Sequence, residues 1–291
     1  MNKVNPYAVL VVAVVGVSLS AIFVRFTQAP SVVTAFYRLL FTFLLSLPLA
    51  TTTKKYQWRL RFKQLALIFA SALFLALHFV TWFSSLRYTS VASSTVLVNT
   101  QPFFVIVFGF IIWRTPVNPK MLMSVFGAIM GTILLSWGDF SVGGNYLFGD
   151  ALALLGAVFI AIHYLFSSYL RHSLDTIPYT TLLYGFCTII LAVFAALGDY
   201  SFVGYPLLDY SMFLSLALFC TILGHTLFSW CMKYLAASVV SLSVLGEPVI
   251  AAMVAFFLFG ESFSLGQFIG SIIVLISIFG YLYEENKQCS S

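Results

Sequence analysis

Apolar residues in this chain come in blocks of about twenty, separated by short polar joints. A helix needs roughly 20 residues to cross a ~30 Å hydrocarbon core, so each block is long enough to span a bilayer. The pattern predicts ten helices: Tyr7–Phe26, Ser31–Leu49, Gln64–Leu86, Ser90–Trp113, Lys120–Trp137, Leu147–Leu170, Tyr179–Leu197, Tyr210–Met232, Ala237–Phe259 and Leu265–Tyr283. The joints carry helix breakers, among them Ala29-Pro30, Pro116 with Pro119, Gly143-Gly144, Pro178 and Pro206. The expected fold is therefore all-α and integral to a membrane. The first block, Val9 to Val24, runs through Arg25 into another apolar block without a small-residue cleavage site. It is expected to stay as a first helix and not to be removed as a signal peptide.

Two stretches of the chain echo each other. His78 to Ile112 carries Arg87-Tyr88 and then Gln101-Pro102, while Phe219 to Glu261 carries Lys233-Tyr234 and then Glu247-Pro248. Matched, Pro-interrupted apolar segments in two halves are the sequence sign of a transporter built from internal repeats. Ala29-Pro30 before the second helix matches Ile177-Pro178 before the seventh, and Gly127 with Gly131 matches Gly266 with Gly270. The glycine pairs are expected to let helix backbones pack closely. The expected organisation is a first five-helix repeat over 1–138, a linker over 139–146 and a second repeat over 147–291. Five is odd, so the second unit enters the membrane from the opposite side and the repeat is inverted.

Composition strengthens this picture. The chain has 291 residues, of which 61% are hydrophobic and 8% charged, and its mean hydropathy is +1.03. Soluble chains carry about 25% charge. Lys3, Lys54, Lys55, Arg59, Arg61, Lys63, Arg114, Lys120, Arg171, Lys233 and Lys287 fall on one side of the ten-helix topology, against Arg25 and Arg87 on the other. The positive-inside rule then places both termini in the cytoplasm. The net charge of +5 thus reflects topology and gives no reason to expect a nucleic-acid partner. Cys187, Cys220 and Cys231 lie in apolar runs and are expected to pack as small apolar residues.

Ionisable residues at mid-membrane are expensive and are functional candidates by default. His78 precedes Arg87, His163 precedes Arg171 and His225 precedes Lys233 by eight or nine residues, which sets each about 12 to 14 Å from a helix end. Glu247 lies midway along the ninth helix, and Arg38 about 12 Å inside Pro30. Helical spacing groups His78, Trp82 and Ser85 on one face, and likewise Ser94 with Gln101, Ser243 with Glu247, and His225 with Ser229. The expected substrate-binding set is Arg38, His78, Trp82, Gln101, His163, His225 and Glu247, with Pro102 and Pro248 as hinges or gates. Each histidine also has a plain reading as a packing residue. Arg38 suits either a bidentate grip on a substrate carboxylate or a structural role held by helix carbonyls or Glu247, and the residues alone leave both open. Glu247 is a candidate for coupling transport to protons. Motifs of soluble hydrolases, P-loops and metal sites are not found in the sequence, so no catalytic residue, cofactor or metal is expected.

Phe36-Tyr37-Arg38, Tyr88 to Pro102, Gly224-His225-Thr226, Val239 to Pro248, Phe259-Gly260-Glu261 and Gln267 to Gly270 resemble the EamA family of the drug/metabolite transporter superfamily. The resemblance covers essentially the whole chain. It implies ten helices, an inverted repeat, a central cavity lined by both halves, alternating access, and export of amino acids and related metabolites. One departure is the end of the fourth helix, where Trp113-Arg114-Thr115 stands in place of a Gly or Lys followed by Glu. The expected protein is a bacterial plasma-membrane carrier, not an enzyme, that moves a small amphipathic organic solute outward. Importers or exchangers of a quaternary amine or another small solute, and more remotely an intramembrane enzyme, are the alternatives.

Overall fold

A computed structural model describes residues 4–52, 58, 60–114, 118–135, 146–250, 253 and 265–290. Several features singled out in the sequence lie outside that set, including the 139–145 linker, Gly143-Gly144, Pro116 and Phe259-Gly260-Glu261. The described residues are helical throughout their ordered elements, with no strand among them. Eight helical stretches are long and apolar enough to cross a membrane, so this is an integral membrane fold. Two further apolar helices, Pro119–Leu134 and Ala237–Ile250, are shorter among the described residues.

The expected first helix is broken. Helix α1 (Pro6–Val17) starts with Asn5 accepting the Tyr7 amide at 3.0 Å and ends where the Ser18 hydroxyl donates to the Val14 carbonyl at 2.7 Å. The chain resumes as α2 (Ser20–Arg25). A serine bonding back to its own preceding turn competes with the helix ladder and bends it. Helices α3 (Ser31–Thr51) and α4 (Phe62–Tyr88) follow, both continuous.

The fourth predicted helix is also broken, into α5 (Val91–Val98) and α6 (Gln101–Trp113) around Asn99 and Thr100. Pro102 then falls in the first turn of α6, where a missing N–H removes no helix bond. Next come α7 (Pro119–Leu135), α8 (Tyr146–Arg171) and α9 (Thr176–Leu197). The eighth predicted helix contains α10 (Leu207–Ser215), a π-helical stretch over Leu216–Thr226 and α11 (Leu227–Cys231). The ninth opens as α12 (Ala237–Ser243), tightens to a 3-10 turn over Val244–Gly246 and leads into Glu247. Helix α13 (Leu265–Ser290) closes the chain.

Apolar blocks report that a segment is helical, but they do not report its register or continuity. Tertiary contacts decide those. Glycines set the closest ones. A Cβ on Gly16 would lie 2.8 Å from the Phe219 carbonyl oxygen and 2.9 Å from that of Leu223, so α1 meets the π-helical stretch backbone to backbone. A Cβ on Gly131 would lie 2.9 Å from the Gly270 carbonyl oxygen, so the small residues of α7 and α13 serve close packing, as expected. Cys187, Cys220 and Cys231 are buried free thiols in the core.

Helix pairing follows a pattern. The most extensive contact joins α4 to α8, followed by α7 with α13 and α3 with α9. The first span, through α1, packs in turn on the eighth, and α6 packs on α12.

Candidate functional site

Broken and irregular helices converge on one buried cavity. The α1–α2 junction contributes Val17 and Ser20, and α4 contributes His78 and Trp82. The break between α5 and α6 supplies Val98, Asn99 and Gln101. Ile160 and Tyr164 come from α8, and His225 and Phe228 from the eighth span. Val244 and Glu247 complete the wall beside the 3-10 turn. Free space at the centre amounts to about 30 Å³. Ligand pockets for drug-sized molecules run from about 300 Å³, so in this state the side chains fill the site themselves.

Five of the seven expected binding residues, His78, Trp82, Gln101, His225 and Glu247, line this cavity. All five are at least nine-tenths buried. His78 Nδ1 lies 2.9 Å from the Gly156 carbonyl oxygen, which can only accept, so that nitrogen carries the proton. In the neutral ring Nε2 is then an acceptor. The ring stacks on Trp82, with centroids 5.7 Å apart at 20°. Glu247 forms no salt bridge or side-chain hydrogen bond among the described residues.

The other two expected residues are adjacent but do not reach the cavity. His163 turns to α4, with Nδ1 2.9 Å from the Ser71 hydroxyl and 3.2 Å from the Ser71 carbonyl oxygen. Its chain neighbour Tyr164 takes the cavity-facing direction instead. Arg38 lies behind the wall, fully buried. Its Nε donates to Thr221 Oγ1 at 2.8 Å and its Nη1 to Ser20 Oγ at 3.0 Å. The guanidinium also sits over the Phe79 ring at 4.3 Å. One arginine thus ties α3 to the α1–α2 junction, the π-helical stretch and α4.

Thr221 belongs to that stretch, and its hydroxyl donates five residues back to the Leu216 carbonyl at 3.1 Å. That reach suits the wider π turn.

Several buried polar atoms of the wall have no hydrogen-bond partner among the described residues: Trp82 Nε1, Asn99 Nδ2 and His225 Nδ1. Arg38 Nη2 behind it is likewise unpaired. Unsatisfied buried polar groups cost about 1–3 kcal/mol each, and of the seven such atoms among the described residues three line this cavity and a fourth lies behind it. Asn99, Ser20 and Tyr164 were not picked out from the sequence. The signal for Asn99 was available, since an amide in the apolar run before Gln101-Pro102 is itself unusual. Among the described residues no three His, Cys, Asp or Glu side chains form a metal-ligating group.

Two larger clefts lie at opposite ends of α9. One, of about 480 Å³, is lined by Pro30 and Ser31 at the start of α3, Arg87 and Tyr88 at the end of α4, and Phe194 and Leu197. The other, of about 320 Å³, is lined by Asp175 to Pro178 and by Leu227 and Trp230. Beside the first, the buried Asp209 carboxylate accepts the Gln28 amide at 3.0 Å and the Ala29 amide at 2.7 Å. Arg87 donates to the Ala29 carbonyl and, at 3.0 Å, to the Ser31 hydroxyl. Beside the second, Arg171 donates to the Leu174 carbonyl, to the Ser229 carbonyl at 2.9 Å and to the Thr176 hydroxyl at 2.6 Å. Lys233 there pairs with Asp175 at 3.3 Å.

Known proteins resemble this chain over most of its length. An uncharacterized transporter of Archaeoglobus fulgidus is 24% identical over 200 residues, covering 68% of each chain. A second from the same organism is 24% identical over 275 residues, covering 93% of this chain and 94% of its own. The uncharacterized transporter YxxF of Bacillus subtilis is 26% identical over 208 residues, covering 70% of this chain and 66% of its own. A crystal structure matches the fold with a TM-score of 0.77 at 15% identity, covering 97% of this chain and 98% of the other. The EamA-like transporter family model matches residues 5–137 and again 147–283. With the site at the meeting point of those two stretches, the chain belongs to the EamA-like transporter family of the drug/metabolite transporter superfamily, and it is a membrane transporter.

Proposed function

We propose that this transporter is an alternating-access carrier of the bacterial plasma membrane that exports amino acids or related small amphipathic metabolites. The observation that carries the proposal is the cavity itself. His78, Trp82 and Gln101 from one half meet His225 and Glu247 from the other, with three wall atoms left unpaired. Aromatic faces suit an apolar or cationic part of a solute, and the amides and the carboxylate suit its polar ends.

Ten spans in two inverted repeats, over 1–138 and 147–291 with both termini cytoplasmic, supply the frame. The pairing of helices supports it. Exchanging each span with the one five later turns the α4–α8 contact into the contact of the eighth span with α1 and maps α3–α9, α6–α12 and α7–α13 onto themselves. The two matches to one family model point the same way. In this frame the larger cleft opens outward and the smaller one inward, and the cavity between them is exposed to each in turn. Pro102 and Pro248 follow the matched helix irregularities at Asn99–Thr100 and Val244–Gly246 and act as hinges. Glu247 couples the cycle to protons, and Arg38 positions the cavity wall.

A second reading, exchange of a quaternary amine, draws on Glu247 as the only formally charged side chain among the described lining residues, beside the His78–Trp82 stack. Proteoliposomes loaded with single amino acids and assayed by counterflow test the first reading. The expected result is saturable exchange that falls at least tenfold in Glu247→Gln and His78→Ala. Unchanged flux and unchanged pH dependence in both variants would refute it.

A further inference from the structure

The break between α5 and α6 places a helix start in the middle of the bundle. Helix α6 runs for 13 residues from Gln101, and Gln101 itself lines the cavity. The first amides of a helix have no acceptor within it, while the dipole of α6 is offset here by the negative end of α5, which lies only two residues earlier. Pro102 brings no N–H, and the Phe103 amide turns back to the Thr100 carbonyl at 3.0 Å. What remains for a ligand is the Gln101 end of α6 with its own side-chain amide.

An independent feature points the same way. Asn99, the residue that ends α5, is only 2% exposed, lines the cavity and has no partner for Nδ2 among the described residues. Trp82 Nε1, on α4, is in the same position at 5% exposure. Nδ2 of an amide and Nε1 of an indole can only donate.

The second half differs in kind at the matched place. There the irregular turn Val244–Gly246 leads into Glu247, an acceptor when ionised, where the first half has Gln101. The first half thus offers two unpaired donors, with the His78 Nε2 acceptor beside them, and the ninth span offers a carboxylate.

We propose that the start of α6, Asn99 and Trp82 form a carboxylate-binding subsite of the central cavity. The proposal rests on the carrier reading and sharpens it: the solute is held as a zwitterion, its carboxylate at Asn99 and its ammonium at Glu247. This excludes quaternary amines that lack an acidic group. Hydrogen bonds to a charged group are strong enough that losing one weakens binding about ten- to hundredfold.

The test uses the purified full-length protein and reads ligand-induced thermal shifts with each of the standard amino acids, its methyl ester and its decarboxylated amine. Phenylacetate and benzoate serve as carboxylates with no amine. The wild type is expected to bind at least one free acid tenfold or more tightly than its ester or amine. Asn99→Asp is expected to lose that preference, by like-charge repulsion, so that acid and ester no longer differ tenfold. Trp82→Phe keeps the ring, removes the donor and is expected to weaken the acid alone. Binding of acid, ester and amine with equal affinity, or an acid preference that survives Asn99→Asp, overturns the subsite. Continued counterflow of amino acids in that case leaves the carrier reading standing. If no amino acid binds or exchanges, the amino-acid reading falls, and the two simple carboxylates then decide the subsite alone. Binding lost in Asn99→Asp supports it, and no binding to the wild type overturns it.

Discussion

Gly16→Ala is a sharp test of the packing that shapes the cavity. The added Cβ would lie 2.8 and 2.9 Å from two carbonyl oxygens and 3.0 Å from the Leu223 carbonyl carbon, all backbone atoms of the π-helical stretch. Backbone cannot rotate away as a side chain can, so α1 and the eighth span must separate by about half an ångström. Overpacking of this kind costs about 1–3 kcal/mol. Alanine recovers up to about 1 kcal/mol of helix propensity over glycine, which leaves a net loss of about 2 kcal/mol if the clash is at the upper end. For a chain of this size that corresponds to a fall in Tm of about 4–8 °C. Gly246→Ala is the matched control, because among the described residues its Cβ would meet only Val14 Cγ1 at 3.5 Å and Ile278 Cδ1 at 4.0 Å. These are ordinary contacts, so its Tm should stay within about 2 °C of the wild type. Thermal unfolding in detergent, followed by tryptophan fluorescence or by dye labelling of the buried cysteines, reads both. Because Val17 and Ser20 follow Gly16 into the cavity wall, Gly16→Ala should also reduce counterflow. Equal stability of the two variants would refute the reasoning that the α1 contact is backbone-limited.

Asp209→Ala should lower stability by about 2–5 kcal/mol, because the amides of Gln28 and Ala29 lose their acceptor, and Asp209→Asn should lose about half as much. A Tm unchanged in Asp209→Ala would show that water replaces the carboxylate at no cost. Lys120→Ala should change stability by less than about 1 kcal/mol, since its 3.5 Å pair with Glu284 leaves the lysine side chain 67% exposed. A larger effect would mean that this pair does more than hold two surface side chains together.

The helical architecture could be read from the apolar blocks, and much of the site from a few polar residues inside them. His78 with Trp82, Gln101-Pro102 and Glu247-Pro248 were visible because charge and amide groups are expensive in hydrocarbon and rarely occur there without a task. What could not be read was rotation. Even where a helix has a more polar face, which of its inward side chains reaches the cavity is decided by the neighbours it packs on. His163 and Tyr164 illustrate this: successive helix residues point about 100° apart, and packing sent the tyrosine to the cavity and the histidine to Ser71. Arg38 stands behind the wall for the same reason, since Ser20 and Thr221 are its partners and neither is near it in sequence. Helix interruptions at Ser18, Asn99 and Leu216–Thr226 escaped the pattern altogether, because the hydrophobic blocks run straight through them. Asn99 went unnoticed with its break.

The small volume at the centre of the bundle has a consequence for entry. A space of about 30 Å³ has room for a water molecule or two. A larger solute is therefore admitted only as the side chains that fill the site move apart, so occupancy and rearrangement of the wall are one event, and the shape of the guest sets how far the wall must open.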